Sequence, residues 1–156
     1  MVKHMHLDPV DRRILAQLQA NALLSNVELA ERVGSSAASC WRRVKALEAA
    51  GALGPAVRLL NPEALGHEVN VICNVRMRSH TRDARSAFED FVRGRHEIME
   101  CYSMSGDWDY LLRIVAADVA DYERFLMRFL LDHPSVGSAS SHFALSQTKY
   151  TTALPV

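Results

Sequence analysis

Two periodicities divide the chain. Val10, Ile14 and Leu18 recur at i, i+4 and i+8, one face of a helix. Asp8-Pro9 opens that helix: the aspartate can cap free amides, and proline suits the first helical position. Asn21-Ala22-Leu23-Leu24 interrupts the pattern. Ser25-Asn26-Val27-Glu28 then has the spacing of a capping box, and it leads a short helix whose apolar contacts are Leu29, Ala30 and Val33. Gly34-Ser35 ends this second helix. Ser36 caps a third, which runs to about Ala50 and stops at Gly51.

The later pattern is different. Ala56 to Leu60 predicts a short strand, closed by the turn signal Asn61-Pro62. From Val69 the chain alternates, with Val69, Val71, Cys73, Val75 and Met77 on one side and Asn70, Asn74, Arg76 and Arg78 on the other. Thr81 caps a helix whose predicted inner face is Ala84, Ala87, Phe88, Phe91 and Val92. Ile98 to Ser103 and Trp108 to Ala116 predict two strands about a turn at Gly106-Asp107. Asp118 caps a helix carrying Val119, Tyr122, Leu126, Phe129 and Leu130, which ends near His133-Pro134; Val136 to Thr151 holds the last strand or strands. The fold class is therefore α+β: an N-terminal three-helix unit and a ferredoxin-like β-α-β-β-α-β domain. The predicted boundaries are 1–52 for the first, 53–66 for a linker with a strand, and 67–156 for the second.

Composition narrows the function. The 156 residues are 49% hydrophobic and 23% charged, ordinary for a globular chain. No apolar run reaches the roughly 20 residues that span a bilayer, and Met1-Val2-Lys3-His4-Met5-His6 lacks the apolar core of a secretory signal. Cys40, Cys73 and Cys101 are odd in number and widely spaced, which fits free thiols in a cytoplasmic protein. Net charge is zero, yet residues 1–60 hold 8 basic and 5 acidic residues, and the remainder 10 and 13. A basic head on an acidic body points to a polyanion partner for the head. Two helices about a glycine turn, braced by a third, are the layout of a helix-turn-helix. On the third helix Cys40, Val44 and Leu47 form the inner stripe. Ser36, Ala38, Ser39, Trp41, Arg42, Arg43 and Lys45 are the candidate contacts to double-stranded DNA: small residues for close approach, cations for phosphates and base edges.

The runs Leu7-Asp8-Pro9-Val10-Asp11-Arg12-Arg13-Ile14-Leu15, Ser25 to Gly34 and Cys40 to Glu48 resemble the leucine-responsive/asparagine-regulator (Lrp/AsnC) transcription factors. So do Glu100-Cys101-Tyr102, Ser105 to Leu112, Tyr122-Glu123-Arg124-Phe125 and Lys149-Tyr150. The resemblance spans nearly the whole chain in the family's order. It implies a winged-helix-like DNA-binding domain and a C-terminal domain that binds an amino acid or related metabolite. It also implies dimers, formed partly through the linker strand, that assemble into tetramers or octamers. The effector site so implied comprises Tyr102, Met104, Ser105, Gly106, Asp107, Trp108 and Asp109. An ammonium would need acceptors such as Asp107 or Asp109, and a carboxylate would need donors such as the amides around Gly106.

Four positions depart from the family's pattern. Gly34-Ser35-Ser36-Ala37 stands where Gly-Leu-Ser-Pro is common, which predicts a looser turn. Leu23 stands where an arginine often precedes the second helix, Trp41 where a smaller aliphatic is frequent, and Pro55-Ala56 where Gly-Tyr is usual. Catalysis is not expected. The seven histidines form no HExxH, the cysteines no CxxC, and neither a phosphate loop nor a G-x-S-x-G elbow occurs. His4 and His6 belong to a frayed terminus rather than a metal site, and no cofactor is expected. The reading is a sequence-specific transcriptional regulator modulated by an amino acid. The alternatives are a metabolite-binding oligomeric module and an architectural DNA-binder with little sequence preference.

Overall fold

The computed structural model describes residues 6–156. Helix α1 (Pro9–Ala20), α2 (Asn26–Val33) and α3 (Ala37–Ala49) make the first unit. Each starts where its cap predicts. Asp8 accepts the amides of Val10 and Asp11, and the Asp11 carboxylate accepts the Asp8 amide in return. Ser25 and Glu28 form the second such box, and Ser36 accepts the Ser39 amide. Each cap satisfies donors that a helix start would otherwise leave open.

The α2–α3 turn is tighter than Ser35 predicts. Gly34 takes a left-handed φ of 67°, and the Ser35 amide reaches back to the Ala30 carbonyl at 3.0 Å. Backbone closure of this kind does not require the side chain at position 35. Ile14, Leu15, Leu29, Ala30, Val33, Cys40 and Leu47 form the buried centre of the unit. Its polar braces are also local. Arg13 Nε donates to the last α2 carbonyl, Val33, at 3.1 Å.

The segment Lys149–Val156 belongs by its contacts to this first unit, not to the domain that precedes it in sequence. The Gln19 amide holds Leu154 by both backbone groups: Gln19 Nε2 donates to the Leu154 carbonyl at 2.9 Å, and the Leu154 N–H donates to Gln19 Oε1 at 2.6 Å.

The second unit, Leu60–Thr148, contains β1 (Val69–Met77), α4 (Arg82–Arg93), β2 (Ile98–Ser103), β3 (Tyr110–Ala116), α5 (Val119–Phe125) and β4 (Val136–Phe143). The sheet is antiparallel in the order β2-β3-β1-β4, the ferredoxin-like arrangement, with both helices on one face. Val71, Cys73 and Val75 of β1 and Tyr110, Leu112 and Ile114 of β3 face Phe88, Tyr122, Phe125 and Leu130. Between Arg76 and Met77 the β1–β4 register shifts past Gly137, where an added Cβ would lie 3.3 Å from the Arg76 carbonyl oxygen.

Three expectations need correction. Ala56–Leu60 is no strand here: Val57, Leu59 and Leu60 are exposed, and no ladder partner adjoins them among the described residues. A strand needs a neighbour for its amides and carbonyls. Within 136–151, as expected, lies the last strand, which ends at Phe143. The helix after Asp118 turns into one π-helical stretch, Leu126–Leu130, in which the Leu131 amide bonds the Leu126 carbonyl. That extra residue shifts the phase within the stretch, so Leu130 is buried while Phe129 is exposed; upstream of it Phe125 is buried and Val119, at the helix start, is exposed. On α4, Ala87 likewise lies outside, and Phe88 is the buried centre.

Candidate functional site: a recognition helix and an effector pocket

The outer face of α3 carries the predicted DNA contacts, but its three cations differ. Arg43 turns inward. Its Nη1 lies 2.6 Å from Asp8 Oδ2 and 2.7 Å from Asp11 Oδ1, so it ties the recognition helix to the capping box of α1. The Asp11 amide, with Arg43 behind it, holds the Asp8 carboxyl below the usual carboxylate range, and the two carboxylates push the Arg43 guanidinium up. Lys45 Nζ lies 2.7 Å from Glu48 on the next turn. Arg42 is exposed and makes no ion pair among the described residues. Trp41 stands beside it, 55% exposed rather than packed into the core. Ala38 is exposed and Ser39 half-buried at the helix start; Ser36 Oγ is engaged as the cap. Leu23, 80% exposed, offers no charge where an arginine would.

In the second unit the loop 104–109 crosses the end of the sheet, and its residues divide between the two sides. Asp109 is its anchor. Its amide donates to the Val75 carbonyl at 3.0 Å, and its carbonyl accepts the Met104 amide at 2.9 Å. One carboxylate oxygen accepts the Met77 amide at 2.7 Å, and the other lies 3.4 Å from His80 Nδ1. On this side a cavity of about 140 Å³ is lined by Met77, His80, Arg85, Ser103, Met104, Asp109 and Tyr110. Tyr110 is buried at its floor and donates its hydroxyl to Glu89; burial, reinforced by that carboxylate, pushes its pKa up to about 12. Arg85 also borders an open depression of about 480 Å³ with Arg82, Ser86 and Glu89.

The other effector candidates lie elsewhere. Asp107 and Trp108 face Arg76, which donates to the Asp107 carbonyl and stacks its guanidinium 4.9 Å from the centre of the Trp108 ring. Ser105 and Gly106 are exposed at the tip. Tyr102 stands opposite Leu111 on the sheet face away from the helices, donating its hydroxyl to Glu100 at 2.8 Å. Of the seven predicted residues, the cavity brings together Met104 and Asp109. It adds Met77, His80, Arg85, Ser103 and Tyr110, which come from β1, the β1–α4 loop, α4 and the facing ends of β2 and β3. Strand alternation does not yield this split, because the 104–109 segment is a loop rather than a regular strand, and no local motif marks His80 or Arg85.

No group of three or more potential metal ligands occurs among the described residues; of the His4–His6 pair, His4 lies outside them. No helix among them is long and apolar enough to cross a membrane.

Comparison with known proteins follows the same division. A family model described as the Lrp/AsnC ligand binding domain matches residues 70–154, and one described as a winged helix-turn-helix DNA-binding domain matches residues 7–53. The DNA-binding transcriptional activator DecR of Escherichia coli K12 is 36% identical over 150 residues, 96% of this chain and 99% of that protein. The leucine-responsive regulatory protein of Haemophilus influenzae is 36% identical, covering 95% of this chain and 89% of its own. Among solved structures, a transcriptional regulator from Neisseria meningitidis in complex with L-Met superposes with a TM-score of 0.92 at 39% identity, covering 96% of this chain and 97% of that one. An AsnC family regulator from Agrobacterium tumefaciens gives 0.90 at 40% identity, with the same coverage.

Proposed function

The chain belongs to the Lrp/AsnC family of DNA-binding transcriptional regulators, and from that premise we propose that its affinity for DNA is set by an amino acid bound in the second unit. Regulation rather than catalysis is the business of its named relatives. The observation that carries the proposal is Asp109: a partly exposed carboxylate, fixed by three backbone hydrogen bonds, at the edge of a polar cavity in the ligand-binding domain. A solved relative at 39% identity is a complex with L-Met, which supports an amino acid as the ligand.

On the DNA side, α3 enters the major groove with Arg42 as its principal cation, Trp41 on its flank and Ser36, Ala38 and Ser39 at the close approach. Lys45 contributes once released from Glu48, and Arg43 holds the helix in place rather than touching DNA. The protein works in the cytoplasm as a self-assembled oligomer. The helix-free face of the sheet supports self-association: Ile72, Leu111 and Val115 stand in adjacent rows of β1 and β3, apolar and uncovered by any helix of this unit. The exposed Val57, Leu59 and Leu60 supply a second unpartnered stretch. An effector acts on such an assembly only through different affinities for its states, altering the spacing or number of paired recognition helices.

A gel-shift titration against DNA upstream of the protein's own gene, with each amino acid in turn and unrelated duplex as competitor, tests the reading. Specific binding altered by one amino acid supports it. Binding of all duplexes alike moves the protein to an architectural role, and no binding at all to a metabolite-binding module.

A further inference from the structure

The cavity beside Asp109 holds one carboxylate and one cation that are not spent on each other. Asp109 commits one oxygen to the Met77 amide, and its other oxygen meets only a long contact from the largely exposed His80 ring. Arg85 donates Nε and Nη2 to the His80 carbonyl at 3.2 and 3.0 Å, which fixes the plane of its guanidinium and leaves Nη1 without a bond among the described residues. No carboxylate pairs with Arg85 among the described residues, and Glu89, which lines the same depression, is engaged by the Tyr110 hydroxyl and Arg93. The space between, about 140 Å³, is on the order of four or five water volumes, room for an α-carbon with its two charged groups.

We infer that Arg85 reads the carboxylate of the effector while Asp109 takes its ammonium, so the site selects free α-amino acids over their carboxamides. This rests on the reading of the cavity as the effector site. A guanidinium held in plane by a backbone carbonyl offers a directed, charge-assisted donor with little ordering left to pay for. Arg85 and Asp109 address only the groups every α-amino acid shares, so Arg85 governs the class of ligand and not the choice among side chains.

Isothermal titration of the full chain tests this with the twenty common L-amino acids, and with the carboxamide of whichever binds, L-methionine and L-methioninamide being the first pair. The titrations are run where both members carry an ammonium. The wild type should prefer the acid by about tenfold or more, the scale of one hydrogen bond to a charged group. Arg85→Gln should lose that preference by weakening the acid alone, and Arg85→Lys should restore part of it. An unchanged acid-to-amide ratio in Arg85→Gln overturns the assignment, including the case in which both ligands weaken together because the loop has shifted. If Arg85→Gln does not fold, an Arg85→Lys ratio equal to that of the wild type overturns it instead. A wild type that binds acid and amide equally removes the carboxylate reading while leaving an effector site. Failure to bind any amino acid removes the effector reading itself, and the role of Arg85 with it.

Discussion

Adjacent arginines on α3 have opposite duties. Arg42→Ala should weaken operator binding by about tenfold, the scale of one lost charged contact, with the melting temperature unchanged. Arg43→Ala should instead lower the melting temperature by releasing the α3–α1 tie. Gel shifts and calorimetry on the two variants separate these outcomes, and equal effects on DNA would place both side chains at the interface. The sequence puts both on a basic helix. Only the third dimension brings Asp8 and Asp11, more than thirty residues away, under one of them.

His133 supplies a pH dependence. Its ring lies 4.9 Å from that of Phe91 and accepts the Ser135 amide on Nδ1; burial lowers its pKa from the usual 6.5. The native state therefore binds the proton less readily than the unfolded chain, and the stabilisation is fully present above about pH 6.5. It is lost progressively as pH falls below that value. Denaturant melts between pH 7.5 and 5 should show the decline, and His133→Gln should flatten that part of the profile.

At the scale of elements, what was readable from sequence was what neighbours in the chain decide. Caps at Asp8, Ser25, Ser36, Thr81 and Asp118 all depend on residues two or three positions away, and all formed. Gly34 belongs with them: its positive φ costs an L-residue about 1–2 kcal/mol, so Gly34→Ala should lose that much in a denaturant melt. The π-helical stretch was not readable, because a 3.6-residue period assumes that no residue is inserted. Its rotated phase is testable by contrast. Phe88→Ala should cost about 3–5 kcal/mol, whereas Phe129→Ala, at the surface with Arg95 over its ring, should cost clearly less, about 1 kcal/mol. The linker segment forms no ladder within one chain, because strand pairing is decided outside the segment itself. The effector cavity was half legible for a related reason: its loop is contiguous, but His80 and Arg85 join it only when β1 and α4 fold against β3.

At the scale of the whole molecule, the uncovered sheet face and the extended segment before Asn61 concern copies of the chain more than the chain alone. Leu111→Asp, placing a charge in the middle of that face, should shift sedimentation toward a smaller species while leaving the fold intact. Unchanged assembly would move the interface to other surfaces.

The pairing of Gln19 with Leu154 bears on how the protein is handled at the bench. Any change made within Lys149–Val156, or a tag or fusion joined to that segment, acts close to a backbone group held by the first helix of the DNA-binding unit. Leu154→Pro, which removes the amide that Gln19 holds, should therefore register in the stability of the first unit, and immobilisation for binding assays is better made through an engineered surface position on the second unit. Cys40 and Cys73 are buried and Cys101 half-buried, so a single introduced surface cysteine would be the most accessible thiol among the described residues and can serve as that attachment point.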